Sequence, residues 1–397
     1  MTAGRVALVM RSLDGGGMQR CMLDLAGGFV ARRLRVDLLV ADASGPMRQR
    51  LPEGVVLHSL PAVSAARARA FALRRFGADA LPLAGVTLPR MLRHLEGLAA
   101  SLSELRPQAV LAMGTQSNLA AVWARALARV PSRVAVTECS TLSIAAQRPL
   151  WSFRRAYPGL VRGVYPRADK VLTVSHAVAD DLAATAQLPR DWLETIPNWI
   201  GDDLPAKAAA APPHPWLAPG EPPVVLGVGR LHWQKDFPLL LRAFARLRRQ
   251  RPLRLILLGE GGERGRLEAL ARELGIADDL AMPGFVANPY AWMAHAALLT
   301  VTSVSEGFGN VIVEALACGL PVVSVDCPGG PREILEGGRF GRLAPVGDAD
   351  ALAEAMAATL DRPPPPELLC ARAADFGFER AVERYLALLM KGPRHGA

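Results

Sequence analysis

Short apolar runs alternate with amphipathic segments along the chain, and this alternation occurs in two successive halves. In the first half the predicted strands cover residues 5–11, 35–41, 55–60, 109–114, 133–138 and 170–175. In the second half they cover residues 224–230, 254–260, 280–285, 298–303, 321–326 and 341–346. Most of these runs are apolar throughout, which is typical of strands covered by helices on both faces. The pattern therefore predicts an α/β fold with two parallel sheets built from βαβ units.

A segment rich in alanine and proline separates the two halves. It covers residues 202–223 and includes the pair Pro222-Pro223, so it is unsuited to a sheet and indicates a linker. At 397 residues, the chain also exceeds what one hydrophobic core usually serves. The predicted organisation is an N-terminal Rossmann-like domain over residues 1–200, a linker over 201–223, a C-terminal Rossmann-like domain over 224–377 and a final helix at 378–392.

Composition narrows the class of protein. The five cysteines are odd in number and form no CxxC pair, which argues against a disulfide framework or a zinc site and fits a reducing cytosol. No apolar run reaches the roughly 18 residues of a membrane span, and the first residues lack the basic start of a signal peptide. We therefore expect a cytoplasmic protein. The net charge of +9 is carried mostly by arginine, which indicates either codon bias in a GC-rich genome or an anionic partner.

Ligands of open parallel sheets bind beyond the carboxyl ends of the strands, so the residues after each predicted strand are candidates for a site. The first strand is followed by Gly15, Gly16 and Gly17 and then by a predicted helix. Free N–H groups at such a helix start can hold a phosphate; the alternative is a tight strand-to-helix turn. The turn is not GxGxxG and no acidic residue follows at the ribose position, which argues against a dinucleotide oxidoreductase.

Two cations follow the first strand of the second half. Arg230 stands at the end of that strand and Lys235 lies just before a predicted helix. An arginine fork and a lysine point charge suit a diphosphate, whereas the alternative is a pair of surface charges. His232, between them, is predicted to be a loop residue rather than a catalyst.

Carboxylates and glycines follow a later strand of the second half. Glu306 precedes Gly307-Phe308-Gly309-Asn310, and Glu314 lies inside the predicted helix that follows. Backbone amides at the glycines and a neighbouring carboxylate can hydrogen-bond a sugar; the alternative is a carboxylate that favours the helix dipole and a solvated helix residue. A further glycine turn, Gly329-Gly330, enters another helix and can also meet a phosphate.

Five sequence blocks of the second half together carry a family pattern. They are GRLHWQKDF, LLGEGGERGRLEALA, MPGFVANPYAWM, SEGFGNVIVEALACGLPVVSVDCPGGPREI and GRLAPVGDADALA. In the first half the glycine turn, YPRADKVLTVSHAVADDL and IPNWI add to it. These blocks resemble those of family-4 glycosyltransferases, which are retaining enzymes of the GT-B fold. The resemblance implies two Rossmann-like domains with an interdomain cleft, and transfer of a sugar from a nucleotide-diphosphate donor.

The resemblance also implies roles for individual residues. Arg230 and Lys235 would bind the donor diphosphate, and Gly16 and Gly17 would face it from the first domain. Glu306 would bind a donor-sugar hydroxyl, and the exposed amides of Phe308, Gly309 and Asn310 would meet the sugar and phosphates. Glu314 would bind the ribose, and Val286 would lie near the base. The final helix would return to the first domain. The GGPREI variant resembles branches that use UDP-linked sugars.

The first half departs from the family pattern at two places. Met18-Gln19 replaces the Ala-Glu that often follows the glycine turn. Many members carry a histidine after the fifth strand, where this chain has Glu138-Cys139-Ser140. We take Glu138 as a weak substitute, either binding the acceptor or supporting the site.

No metal or other cofactor is expected beyond the nucleotide-sugar co-substrate, because Arg230 and Lys235 can neutralise the leaving diphosphate. The string Asp348-Ala349-Asp350 matches Asp-x-Asp, but a helical run follows it, so we predict that it caps a helix.

A basic and aromatic stretch of the first half predicts contact with an anionic membrane surface. Its residues are Arg67, Arg69, Arg74, Arg75, Arg90, Arg93, Arg148, Arg154, Arg155, Arg162 and Arg167 with Trp151, Phe153 and Tyr157. A solvated face is the alternative, and no nucleic-acid motif accompanies it. We expect a lipid-linked or glycan acceptor and loose attachment to the inner membrane face. The rival functions are a nucleotide-sugar epimerase of the same fold and a non-catalytic nucleotide-binding scaffold.

Overall fold

The computed structural model describes residues 4–147, 152–201 and 203–391. Its contacts divide the chain into two compact units. The first unit holds the described residues through Asn198 together with those from Glu379 onward, and the second covers Trp199–Phe378. Each unit has its own sheet, so the two-sheet α/β prediction is confirmed.

The first unit contains a seven-stranded sheet in which all the pairs are parallel. Its strands are β1 (Arg5–Ser12), β2 (Arg35–Asp42), β3 (Val55–Ser59), β4 (Ala109–Met113), β5 (Arg133–Glu138), β6 (Lys170–Thr173) and β7 (Leu193–Thr195). Their order is β3-β2-β1-β4-β5-β6-β7. The first three strands are therefore added toward one edge of the sheet, and β4 to β7 are added toward the other edge, starting beside β1. The sequence pattern missed β7, because three residues are too few to show a period.

Helices cover this sheet. They are α1 (Gly17–Ala31), α2 (Ala65–Phe76), α3 (Leu95–Leu105), α4 (Thr115–Ala128), α5 (Leu142–Ala146), α6 (Tyr157–Val164) and α7 (His176–Ala186). On one face, alternate residues of β1 and β5, such as Val9 and Val136, pack in a core with residues of α3 and α4. Trp123 in this core stacks on Phe76 with ring centroids 4.6 Å apart.

The second unit contains a six-stranded parallel sheet in the order β10-β9-β8-β11-β12-β13. Its strands are β8 (Val224–Val228), β9 (Arg254–Leu258), β10 (Leu280–Gly284), β11 (Leu298–Val301), β12 (Val322–Val325) and β13 (Arg342–Ala344). The helices are α8 (Leu204–Ala208), α9 (Phe237–Arg248), α10 (Arg264–Glu273), α11 (Tyr290–His295), α12 (Asn310–Ala317), α13 (Pro331–Ile334), α14 (Ala349–Asp361) and α15 (Pro366–Ala374). Asp348 caps α14 as predicted, since its carboxylate accepts from the N–H groups of Asp350 and Ala351.

The alanine- and proline-rich segment differs from a bare linker. It contains α8, which packs against α11 in the second unit. Asn288 Nδ2 donates to the carbonyl of Lys207 at 2.9 Å, and Leu204 is buried. Pro205 lies in the first turn of α8, where a missing N–H costs nothing, and this explains how such a composition still forms a helix.

The last helix, α16 (Phe378–Met390), contacts the first unit from Glu379 onward. Arg384 donates to the carbonyl of Thr195 at 2.8 Å, and Glu379 pairs with Arg32. Arg133 donates to the carbonyl of Lys391 at 3.1 Å. None of the helices in the described residues has the length and apolar character needed to cross a bilayer.

Candidate donor-binding site

Two loops of the second unit are joined at the carboxyl edge of its sheet. The loop after β8 carries Gln234 and Lys235, and the loop after β11 carries Thr302 and Ser305. Gln234 Nε2 donates to the carbonyl of Ser305 at 2.9 Å, and Thr302 Oγ1 donates to the carbonyl of Lys235 at 2.7 Å. These hydrogen bonds fix the backbone from which the lysine projects.

Lys235 and Glu306 form an ion pair at this edge. Lys235 Nζ lies 2.5 Å from Glu306 Oε1, and the two side chains are 24% and 12% exposed. Ser303 Oγ donates to the same carboxylate oxygen at 2.6 Å. Partial burial strengthens this charge-assisted contact while leaving both groups within reach of a ligand. The fold therefore brings together two predicted residues that are 71 positions apart.

Glycines let a third loop approach Glu306 closely. The N–H of Glu306 donates to the carbonyl of Pro328 at 3.1 Å, and the N–H of Gly330 donates to the carbonyl of Glu306 at 3.3 Å. A Cβ at Gly329 would lie 1.4 Å from the Glu306 carbonyl oxygen, and its φ of +124° also requires glycine. The predicted Gly329-Gly330 turn thus has a structural reason besides any contact with phosphate.

The helix α12 starts directly beyond Glu306. Gly309 precedes it with a φ of +104°, and Asn310 is its first residue. The side chain of Phe308 is buried and packs edge-on against Phe376, with ring centroids 5.5 Å apart. This ring anchors the loop, and Gly309 and Asn310 follow at the start of an eight-residue helix, the end whose dipole favours an anion. Glu314, inside the helix, is also buried.

Arg230 lies in the same loop after β8 as Lys235, and Val286 lies in the loop after β10. Arg230 is exposed two residues after β8, and the N–H of Leu231 donates to the carbonyl of Glu260 at 2.9 Å, which fixes this turn. Val286 is half-buried two residues after β10, beside the exposed ring of Phe285. Their predicted contacts with a diphosphate and a base stay predictions.

Sequence reasoning missed the residues that support the ion pair. Ser303, Thr302 and Gln234 are ordinary loop residues in the sequence, and their role depends on how the two loops pack. Cys327 was also missed. Burial, with the nearby charge of Glu306, raises the pKa of its thiol to about 12, so the thiol stays protonated beside the carboxylate.

Two predicted contacts belong to the first unit. Gly16 precedes α1 and Gly17 is its first residue, so the predicted turn does lead into a helix of 15 residues. A Cβ at Gly16 would lie 2.7 Å from Gln19 Oε1, the end of a flexible side chain that can move away, so this contact alone does not require glycine. Whether these amides meet a diphosphate remains a prediction.

Glu138 is fully buried at the end of β5. Tyr165 donates to its Oε2 at 2.9 Å, Thr115 to the same oxygen at 3.0 Å and Ser140 to its Oε1 at 3.2 Å. Burial raises the pKa of the carboxyl, and these hydrogen bonds oppose that effect. Direct binding of an acceptor is incompatible with complete burial, so of the two predicted roles the structure favours the supporting one.

In the structure, the residues of the basic and aromatic stretch differ in burial and in their partners. Tyr157 is buried and Phe153 is half-buried against the core of the first unit, so neither ring forms an exposed aromatic surface. Arg67 pairs with Glu96 at 3.0 Å, and Arg93 donates to the carbonyl of Val63 at 2.9 Å. Arg148 and Trp151 lie outside the described residues. The aromatic part of the membrane prediction is thus wrong for the two described rings, while membrane contact itself stays a prediction.

The fold and its strand-end loops define an α/β protein of the GT-B class, with two Rossmann-like parallel sheets. A crystal structure of the Anabaena protein Alr3699/HepE in complex with UDP and glucose matches 97% of this chain and 99% of its own with a TM-score of 0.76 and 20% identity.

Family models match most of the chain. The glycosyl transferase 4-like domain matches residues 16–199, and the model described as glycosyl transferases group 1 matches residues 222–362. The chain therefore belongs to the group 1 glycosyltransferases, with a 4-like N-terminal domain.

Two relatives are similar to this chain over most of the matched length. The chain is 31% identical over 306 residues to the GDP-mannose-dependent alpha-mannosyltransferase of Mycobacterium tuberculosis, covering 76% of this chain and 72% of the relative. It is 32% identical over 231 residues to the N-acetylgalactosamine-N,N'-diacetylbacillosaminyl-diphospho-undecaprenol 4-alpha-N-acetylgalactosaminyltransferase of Campylobacter jejuni, covering 58% of this chain. That match spans 61% of the Campylobacter enzyme's length.

Proposed function

We propose that this protein transfers a sugar, with retention of anomeric configuration, from a nucleoside-diphosphate donor to a lipid-linked or glycan acceptor. The observation that carries the proposal is the Lys235–Glu306 pair, held by Ser303 and by the Gly329-Gly330 turn at the carboxyl edge of the second sheet. A cation for phosphate and an acceptor for a sugar hydroxyl stand side by side there, as a nucleotide sugar requires.

The chemistry follows from the charge that develops on the leaving group. The bond between the anomeric carbon and the diphosphate oxygen breaks, and the nucleoside diphosphate leaves with the electron pair. The acceptor oxygen bonds to the same carbon, and its proton passes to the leaving diphosphate. Lys235 has three donors, so it can hold Glu306 and a phosphate oxygen together. Arg230 and the amides before α12 would add positive potential, and preset charges of this kind stabilise a transition state strongly. These groups would carry the reaction without a metal ion.

A sequence segment and the names of two relatives guide the choice of donor and acceptor. The GGPREI segment favours a UDP-sugar, and the Campylobacter relative is named for an acceptor on diphospho-undecaprenol. The Mycobacterium relative is named for GDP-mannose, so the screen below includes both nucleotides. A lipid-linked acceptor places the protein at the inner face of the cytoplasmic membrane, in agreement with its net positive charge.

A thermal-shift screen of UDP- and GDP-linked sugars tests the proposal, followed by product analysis with membrane lipid extract. We expect stabilisation by one nucleotide class and a glycosylated product only when the acceptor is present. Consumption of the donor to an isomer without an acceptor would identify an epimerase instead. Binding of the nucleoside diphosphate without turnover in any acceptor mixture would identify a scaffold. Stabilisation by NAD alone would reject the assignment.

A further inference from the structure

Two of the five cysteines lie on neighbouring helices of the second unit. Cys318 caps the C-terminus of α12, and Cys370 lies in the middle of α15, which packs against α12. Both are present as thiols. The packing of these two helices therefore decides how near the two sulfur atoms lie.

The Cys370 sulfur lies against the backbone on both sides of Cys318. It is 3.6 Å from the carbonyl oxygen of Ala317, and a Cβ added at Gly319 would lie 3.9 Å from it. Pro366, one turn earlier in α15, contacts the same glycine, because that added Cβ would lie 3.0 Å from the Pro366 Cβ. The Ala317 carbonyl carbon is bonded to the nitrogen of Cys318, so the Cys370 sulfur lies within a few ångströms of the Cys318 backbone.

The Cys318 side chain can turn toward this sulfur. In the structure its own sulfur lies 3.9 Å from the carbonyl oxygen of Tyr290 in α11. A thiol is a weak donor, so exchanging this contact costs little, and other staggered positions of χ1 are available. A disulfide requires Cα atoms about 4.4–6.8 Å apart, a spacing that the contacts at Ala317 and Gly319 allow.

The two thiols differ in their access to solvent. Cys370 is exposed, whereas Cys318 is half-buried. Burial raises the pKa of the Cys318 thiol to about 12, and the charge of a Cys370 thiolate acts in the same direction, as it does only when the two sulfurs are near each other. An exposed thiol beside a protected one suits a redox pair, in which the first reacts with an oxidant and the second resolves the product.

We propose that Cys318 and Cys370 form a reversible disulfide, which ties α12 to α15, when the chain meets a low-molecular-weight disulfide such as oxidised glutathione. The Cys370 thiolate attacks one sulfur of the oxidant, forms a mixed disulfide and releases one glutathione thiolate. Cys318 then loses its proton to solvent, attacks the Cys370 sulfur and releases the second glutathione. The two protein thiols are thereby oxidised by two electrons, and the oxidant is reduced to two thiols.

The disulfide would join two helices that flank the loop carrying Glu306. The helix α12 begins at Asn310, shortly after Glu306, and α15 leads to Phe376, whose ring packs on Phe308 in that loop. A covalent link between the helices restricts the unfolded chain and so stabilises the second unit. The inference is independent of the proposed function, because it concerns the covalent state and stability of this unit alone.

The experiment incubates the full chain with excess oxidised glutathione, counts free thiols and maps the linked peptides by mass spectrometry. The wild type should lose two of its five thiols and yield one peptide pair joined through Cys318 and Cys370. Cys318→Ser should instead keep a glutathione adduct on Cys370. Cys139→Ser, which removes a half-buried thiol of the first unit, is the control and should still form the link.

Thermal unfolding measures the consequence of the link. The oxidised wild type should melt at least about 5 °C above the reduced protein, dithiothreitol should reverse the rise, and Cys370→Ser should show none. Three results would overturn the proposal: a lasting glutathione adduct on Cys370 of the wild type with Cys318 still a thiol, a link between two chains, or a Cys318–Cys370 link with no rise in melting temperature.

Discussion

The hydroxyl of Tyr165 donates a hydrogen bond of 2.9 Å to Oε2 of Glu138, a carboxylate with no exposed surface. Thr115, Ser140 and the N–H of Cys139 donate to the same group, so its donors are neutral. Burying a carboxyl this way costs stability in its charged form, since within the described residues Glu138 has no ion-pair partner to compensate the lost hydration. Thr115 is the first residue of α4, so this network ties the start of that helix to the end of β5.

The Glu138 carboxyl predicts a pH-dependent stability. Burial raises its pKa in the folded chain above the ordinary value of 4.5, so the folded state holds the proton more tightly than the unfolded state. Its contribution to the free energy of unfolding is fully present below pH 4.5 and is lost as the pH rises through the folded pKa. Each unit of difference between the two pKa values is worth about 1.4 kcal/mol. The melting temperature of Glu138→Gln relative to wild type should therefore rise with pH.

The control for this measurement is Glu53→Gln, an exposed carboxyl of the same unit. Its melting curve should run parallel to that of the wild type at every pH. Parallel curves for Glu138→Gln as well would mean that the buried carboxyl does not titrate differently on folding.

The Lys235–Glu306 pair predicts large losses of turnover. Lys235→Ala removes a cation from the leaving diphosphate, and Glu306→Ala removes the acceptor for a sugar hydroxyl. Each should lower kcat by about 100-fold or more, as is usual when one preset charge is lost from a transition state, while circular dichroism stays unchanged. Arg230→Ala should behave in the same way. Steady-state kinetics with the donor found in the screen measures this, and wild-type rates would reject the assigned roles.

Ser303 should act through Glu306. Its hydroxyl donates to the Glu306 carboxylate at 2.6 Å and is buried, so it orients that group without reaching the ligand. Ser303→Ala should lower kcat by about tenfold with little change in donor KM, and Ser303→Thr should restore part of the loss. A change in donor KM alone, without a change in kcat, would contradict the positioning role.

Strand runs and glycine turns made both sheets and the donor loops predictable, because continuous apolar segments and helix starts are local features. That Lys235 and Glu306 lie in contact could not be predicted from the sequence, since the distance between them depends on how the loops after β8 and β11 pack. Complete burial of Glu138 was missed for a similar reason: Thr115 and Tyr165 reach it from two other segments. The helix α8 was not predicted in the alanine- and proline-rich segment, because Pro205 lies at a position where a helix tolerates proline.

Gly329 allows a steric test of the loop after β12. A Cβ there would lie 1.4 Å from the backbone oxygen of Glu306, and backbone cannot yield as a flexible side chain can. Gly329→Ala should displace the Gly329-Gly330 turn, reduce donor binding by at least about tenfold and destabilise the second unit by about 1–3 kcal/mol. Gly262→Ala is the matched control, since nothing lies within 4 Å of its added Cβ. Equal donor affinity in both variants would show that the turn has no part in the site.

Arg372 supports the end of α13 and, through Phe376, the loop that carries Phe308. It donates to the carbonyls of Glu333 and Ile334 at 2.8 and 2.9 Å, where α13 ends, and its guanidinium lies 4.9 Å from the ring centre of Phe376, which packs on Phe308. The side chain is 13% exposed and also pairs with Asp375 at 2.8 Å, so removing it would cost the two hydrogen bonds and an ion pair.

Arg372→Met should keep much of the side-chain volume while losing the hydrogen bonds and the ring contact, and should lower the free energy of unfolding by about 2–4 kcal/mol. Arg372→Lys keeps the charge but lacks the fork that reaches two carbonyls, so its loss should be intermediate. Urea titration of both variants and of the wild type measures the order of their free energies of unfolding. Because the ring of Phe308 depends on this support, donor affinity should fall in the same order; an unchanged affinity in a destabilised Arg372→Met would separate the stability of the unit from the geometry of its donor loop.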